Sequence, residues 1–262
     1  MPAPPSRGPG RRALAPSPPP ARSRRQGARV GPSAGVLGLL IAIIGAPASA
    51  QVAGKLTLQN DYQLRGYSLS ARRPVAVLDL SYEHPSGLYV NESTIGLLEH
   101  DGDPALLGVV GNVGYARRMG PEVSIDGGVT RSEYYQRYGV RESAGYTEVY
   151  LGFIAHRIAS HLYYSPDYFY SGVSTLYGEV EGAVEPVPKL HLSTHVGLLS
   201  YVAMPAGYSR PSNQYDWRVG LSREFGVFDL HAAVSGGGPG DDYYGGGRHG
   251  KTAFVVGGGW TF

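Results

Sequence analysis

Apolar and polar side chains alternate with a period of two along most of the chain after residue 50. From Lys55 to Tyr67 the odd positions Lys55, Thr57, Gln59, Asp61, Gln63, Arg65 and Tyr67 are polar or amphipathic, while the even ones include Leu56, Leu58, Tyr62 and Leu64. Successive side chains of a strand point to opposite faces, so the pattern predicts a strand with one wet and one greasy side. In the same way Leu190, Leu192, Val196 and Leu198 oppose Lys189, His191, Ser193 and His195, and Tyr215, Trp217, Val219 and Leu221 oppose Asp216, Arg218 and Ser222. Phe228, Leu230, Ala232 and Val234 oppose Asp229, His231 and Ser235. Twelve such segments are predicted, near residues 53–67, 74–84, 88–98, 106–117, 122–134, 145–155, 158–165, 173–184, 189–201, 214–224, 226–235 and 251–262. The third needs a phase slip near Glu92, of the kind a β-bulge produces.

The connections between these segments alternate in length. Pro85-Ser86-Gly87, Arg118 to Pro121, His156-Arg157, Glu185 to Pro188 and the link around Phe225 are short, whereas Tyr135 to Ala144, Val202 to Asn213 and Gly236 to Gly250 are long. Barrels of the outer membrane have short turns on one side and long loops on the other. The fold predicted is therefore all-β: a single antiparallel transmembrane barrel of about 12 strands, an up-and-down meander over residues 51–262. Phe254, Val256, Trp260 and Phe262 share one face of the last strand, the expected assembly signal read by the barrel-assembly machinery. The abundant Tyr residues, 20 in the chain, suit the headgroup boundary, although Tyr fits strands of any kind.

Composition divides the chain. Residues 1–50 hold seven Arg, no acidic residue and 10 of the 20 Pro, followed by an apolar stretch Val36–Ile44 and the small residues Ala48-Ser49-Ala50. This reads as a secretory signal peptide with an Arg/Pro-rich n-region, its apolar part too short for a membrane-spanning helix. Removing those seven from the 23 basic residues leaves 16 against 21 acidic ones. The mature part thus has an acidic excess, and no nucleic-acid partner is expected. With no Cys in the chain, disulfide scaffolds, thiolate metal sites and thiol chemistry are excluded.

Several motifs fall in an order that resembles one family. Asp61-Tyr62-Gln63-Leu64-Arg65-Gly66 with Ser68 and Pro74, then Tyr82 and Ser86-Gly87-Leu88-Tyr89, open the series. Asp126-Gly127 before Tyr134-Tyr135, Tyr146-Thr147-Glu148-Val149-Tyr150, Tyr164-Ser165-Pro166-Asp167-Tyr168, His195-Val196-Gly197 and Tyr215-Asp216-Trp217 continue it. Together they resemble the TorF-type porin family of Gram-negative outer membranes. The resemblance implies an outer-membrane barrel with a channel role and no particular solute. The Gly-rich segment 236–250 and the Arg-rich leader depart from the family pattern.

If the apolar face meets lipid, the polar face lines the lumen. The candidates are Lys55, Asp61, Arg65, Asp126, Glu148, Tyr150, Glu179, Glu181, His191, His195, Asp216, Arg218, Asp229 and His231. Charges have no other place in a barrel whose outer band must be apolar. The expected function is passive diffusion of small hydrophilic solutes, small polar solutes and outer-membrane lipid being the partners, with no cofactor and no enzymatic activity. The alternatives are a closed structural or adhesin barrel binding through its extracellular loops and a phospholipase-like hydrolase. A hydrolase needs Ser within reach of an oriented His; Ser160, Ser165 and His161 lie close in sequence, but Ser160 and His161 fall on opposite faces. Gly245-Gly246-Gly247-Arg248-His249-Gly250-Lys251-Thr252 satisfies the phosphate-loop pattern, whose chemistry needs a helix after it. A strand follows here, so the segment reads as a Gly-rich loop. His191 and His195 lie roughly 13 Å apart along a strand and cannot share one zinc ion. Asp101-Gly102-Asp103 and Asp241-Asp242 read as solvated loop charge rather than calcium ligands.

Overall fold

Residues 51–100, 103–135, 144–206, 213–238 and 252–262 are described by the computed structural model of the chain. The signal segment 1–50, the phosphate-loop match up to Lys251, Asp101-Gly102, Asp241-Asp242 and parts of the connections 135–144, 202–213 and 236–250 lie outside the described residues.

Twelve long strands and one small hairpin follow one another. They are β1 Gln51–Gln59, the hairpin β2 Gln63–Leu64 and β3 Tyr67–Ser68, β4 Val75–Glu83, β5 Leu88–His100, β6 Asp103–Arg118, β7 Val123–Tyr134 and β8 Ala144–Ala155. β9 Ile158–Ser165, β10 Ser174–Val187, β11 Leu190–Ala203, β12 Gln214–Phe225, β13 Phe228–Gly238 and β14 Thr252–Thr261 complete the chain. The long strands form one closed antiparallel barrel in which each pairs with its sequence neighbour and β1 pairs with both β4 and β14. The last residue helps close the seam: Gly54 and Phe262 exchange two backbone hydrogen bonds of 2.9 Å.

The outer wall is hydrocarbon. Leu58, Val113, Val129, Leu151, Leu162, Val180, Val196, Val219, Leu230 and Phe254 are exposed on its outward face, and on the same strands Thr57, Asn112, Thr130, Tyr150, His161 and His231 alternate with them inward. Ionisable residues interrupt the band: Arg131 and Glu133, an ion pair on β7, share the outward parity of Val129, and Glu92 does the same on β5. Glu92 stands opposite Leu80 and Gly111 and faces outward, because its neighbour Ser93 reaches Asp79 on the inner wall. Its carboxylate accepts from Thr94 Oγ1 at 3.1 Å. The expected slip near Glu92 is therefore absent: β5 keeps register with β4 from Leu97 to Tyr89, and the irregularity lies further on, where β6 shifts against Ile95/Gly96.

Two expectations are corrected inside the barrel. The first predicted strand ends at Gln59 rather than near residue 67, and the chain beyond it turns into the lumen as the β2–β3 hairpin. The inner wall is also not uniformly polar. At the long-loop end Val75, Val77, Ile95, Leu97, Leu107 and Leu199 point inward and pack around Leu69, Tyr134, Tyr146, Tyr168, Tyr177 and Tyr201. An inward hairpin must bury its own apolar atoms, and these residues form the cradle that receives them. Most of the well-buried tyrosines accordingly lie within the barrel rather than in a headgroup belt. Tyr115, Tyr164 and Tyr215 are among those exposed on the outside.

Candidate functional site

The hairpin is built around one carboxylate. Asp61, 2% exposed, accepts hydrogen bonds from Ser68 Oγ, from Ser70 Oγ at 2.8 Å and from Gln63 Nε2 at 3.0 Å. The two serines pass the constraint on: Ser70 Oγ accepts from the Tyr62 amide and Ser68 Oγ from the Arg72 amide, both at 2.9 Å. Gln63 pairs with Ser68 and Leu64 with Tyr67, which leaves Arg65-Gly66 as a two-residue turn with φ of 48° and 79°. Both values lie in the left-handed region demanded by a type I′ hairpin, where Gly is at ease and Arg is not. Gly66 is also pressed against the Gly236 carbonyl and Gly237 Cα. Ala71 and Arg72, at 53° and 60°, add two more left-handed residues to the same connection.

This turn carries Arg65 across the lumen. Its Nη2 donates to Glu148 Oε1 at 2.9 Å and Oε2 at 2.8 Å. The guanidinium carbon lies 3.9 Å from the ring centre of Tyr177, 5.2 Å from Tyr168 and 5.8 Å from Tyr163. A cation over aromatic faces is attracted by their quadrupoles, more strongly when desolvated. Tyr168 comes from the β9–β10 connection, which also folds inward and packs Tyr168 and Phe169 on Tyr146 with ring centres 4.7 and 4.6 Å apart. Gln63 bonds Ser235 on β13. The hairpin thus reaches from β1 to β8, β10 and β13 and narrows the long-loop half of the barrel, leaving a residual cavity of about 300 Å³ beside it.

Below the hairpin an acid–imidazole row crosses the inner wall. Asp126 Oδ1 lies 3.4 Å from His161 Nε2, and His161 Nδ1 lies 3.7 Å from Glu179 Oε1. His195 Nδ1 is 3.3 Å from Glu181 and its Nε2 is 2.7 Å from Asp216 Oδ1. Gly152 and Gly197 occupy the wall positions between these groups, and their missing side chains leave the space that Asp126, His161, Tyr177 and Asp216 fill. Tyr89 and Tyr150 bond each other and Asp126 or Asn112. Toward the short-turn end the interior opens into a cavity of about 790 Å³ whose lining includes Lys55, Gln59, Ser193, Arg218, Asp229 and His231. There Lys55 Nζ meets Asp229 at 2.7 Å, and His191 meets Glu224 at 3.2 Å.

The residues singled out from the sequence fall into two groups by where the chain carries them. Lys55, Asp126, Glu148, Tyr150, Glu179, Glu181, His191, His195, Asp216, Arg218, Asp229 and His231 lie on the strands of the barrel wall, whereas Asp61 and Arg65 lie on the inserted connection. Tyr89, Asn112, Tyr163, Tyr177 and Glu224 belong to the same surface and were missed, although strand parity alone places them there. Phe254, Val256, Trp260 and Phe262 are exposed on the outer face. His161 meets Asp126 and Glu179, while Ser165 Oγ donates to the Thr147 carbonyl at 2.9 Å. Among the described residues no group of three or more His, Asp or Glu converges to hold a metal ion.

A protein-family model described as a bacterial protein of unknown function (Gcw_chp) matches residues 44–236. No curated protein matches. Similar solved structures include an outer-membrane channel from Pseudomonas putida F1, with 12% identity, 82% of this chain and 96% of that one covered, and a TM-score of 0.48. The KdgM porin has 13% identity, 81% and 99% coverage and a TM-score of 0.46. The translocator domain of the autotransporter NalP from Neisseria meningitidis has 10% identity, 86% and 93% coverage and a TM-score of 0.41.

Proposed function

The chain belongs to the Gcw_chp family, and for this member we propose an outer-membrane barrel that passes small hydrophilic solutes by diffusion, through an interior narrowed by the β2–β3 hairpin. The observation that carries the reading is the sidedness of the wall. A closed ring of strands turns Leu, Val and Phe outward and encloses paired charges around a cavity of about 790 Å³. Only a bilayer gives such an exterior a stable environment, since a closed barrel satisfies every backbone group within the hydrocarbon. The short turns then face the periplasm and the hairpin enters from the extracellular side. The outer face of β14 together with Phe262 is the segment we assign to the barrel-assembly machinery. Passage is passive. The acid-rich row from Asp126 to Asp216 favours cations mildly. The motif series that resembles TorF-type porins supports the same reading.

The hairpin also favours a second reading, a closed barrel that binds through its long loops. Planar-bilayer recordings of the purified protein separate the two. The channel reading expects current steps above detergent controls, larger in Arg65→Ala than in the wild type. Silence in both would defeat it and leave the closed barrel. Heat modifiability tests the barrel itself: the unboiled protein should migrate faster than the boiled one in detergent gels.

A further inference from the structure

The pocket filled by Arg65 has the composition of a receptor for an organic cation. Three tyrosine rings surround the guanidinium carbon within 6 Å, and the Glu148 carboxylate, 4% exposed, closes the remaining side. The resident cation does not use the pocket fully. Nη2 alone donates to both oxygens of Glu148, whereas a guanidinium presenting two nitrogens would make the stronger fork-to-fork pairing. Nη1 is buried without a hydrogen-bond partner among the described residues. Moreover, the chain that delivers Arg65 is held in left-handed backbone at Arg65, Ala71 and Arg72, conformations that non-glycine residues adopt at a cost and that cluster at switching segments.

We propose that the site formed by Glu148, Tyr163, Tyr168 and Tyr177 binds guanidinium-bearing solutes, and that Arg65 is its tethered competitor. A free guanidinium carries no strained backbone and can turn its edge to Glu148, so it displaces Arg65 and frees the hairpin from its anchor. Tethering gives Arg65 an effective concentration on the order of millimolar, so free ligand competes in that range. The proposal deepens the channel reading by naming the solute class that opens the constriction, and it rests on that reading for the route by which the ligand arrives.

The test is calorimetric titration of the detergent-folded protein with methylguanidinium, and with tetramethylammonium at equal ionic strength. Arg65→Ala is expected to bind methylguanidinium at least about tenfold more tightly than the wild type and than it binds tetramethylammonium, and Glu148→Gln added to it to abolish that gain. Equal binding by Arg65→Ala and the wild type, or by the single and double variants, would overturn the proposal. A second measurement covers the case in which Arg65→Ala does not fold. The chain has no Cys, so Leu64→Cys supplies a single thiol on the hairpin. Methylguanidinium should raise its maleimide labelling rate about tenfold and tetramethylammonium should not; an unchanged rate counts against displacement. Binding as expected with silent bilayers would sink only the channel reading, and currents without binding would sink only this one.

Discussion

Replacing Asp61 by Ala should release the hairpin while leaving the barrel closed. Its buried carboxylate accepts three side-chain hydrogen bonds, from Gln63, Ser68 and Ser70, and the two serines in turn hold the Tyr62 and Arg72 amides. Hydrogen bonds to an ionised group contribute about 1.5–3 kcal/mol each. Part of that sum is offset, because the variant no longer buries a charge. A net loss of about 2–4 kcal/mol in hairpin docking raises the undocked population roughly 30- to 1,000-fold. Trypsin reads this directly: cleavage after Arg65 requires the guanidinium to leave its tyrosine cage, and under fast closing the rate follows the open population. Asp61→Asn keeps one acceptor oxygen and should give an intermediate rate, about 5- to 30-fold above wild type. The assay is mass-spectrometric timing of the Arg65–Gly66 cut in protein that still shows heat modifiability. A change below about threefold for Asp61→Ala would refute Asp61 as the anchor of the hairpin.

Three further outcomes follow from other positions. Gly54→Val meets the far end of the exposed Phe262 ring at the seam, which can swing outward, so the cost should stay below about 1 kcal/mol and the heat-modifiable band should persist; its loss would mean that the ring is fixed in place. Glu92→Leu removes an outward-facing carboxylate from the apolar band and should stabilise the protein by up to ~2 kcal/mol in urea titrations in phospholipid vesicles; no gain, or a loss, would mean that Glu92 is not in contact with lipid. Lys55→Ala leaves Asp229 without its 2.7 Å partner and should shift reversal potentials in a salt gradient toward cation selectivity, an effect absent if solutes bypass the short-turn cavity.

The wall was legible in the sequence because a barrel in lipid enforces period-two alternation on every strand, and residues such as Val196, His195 and Arg218 could be assigned a side from parity alone. The hairpin was not. From Lys55 to Tyr67 the same alternation continues past Gln59, since Tyr62 and Leu64 are apolar for a different reason: they pack on the inner core, not on lipid. A signal was present in β4, where Val75-Ala76-Val77-Leu78 is apolar on both faces, as a strand must be when hydrocarbon lies outside and a hairpin inside. The bulge at Ile95/Gly96 escaped for a related reason. Glu92 looked out of phase because a carboxylate was assumed to face water, whereas the strand keeps its phase and places the acid outward.

The greasy inner storey around Val75, Ile95 and Leu199 bears on how the constriction responds to its surroundings. A constriction held only by ion pairs would loosen as salt screens them. This one also closes by removing hydrocarbon from water, a driving force that fades on cooling and is strengthened by excluded solutes such as sulfate. Chilling, more than brine, is the condition under which the barrel should be caught with its entrance ajar.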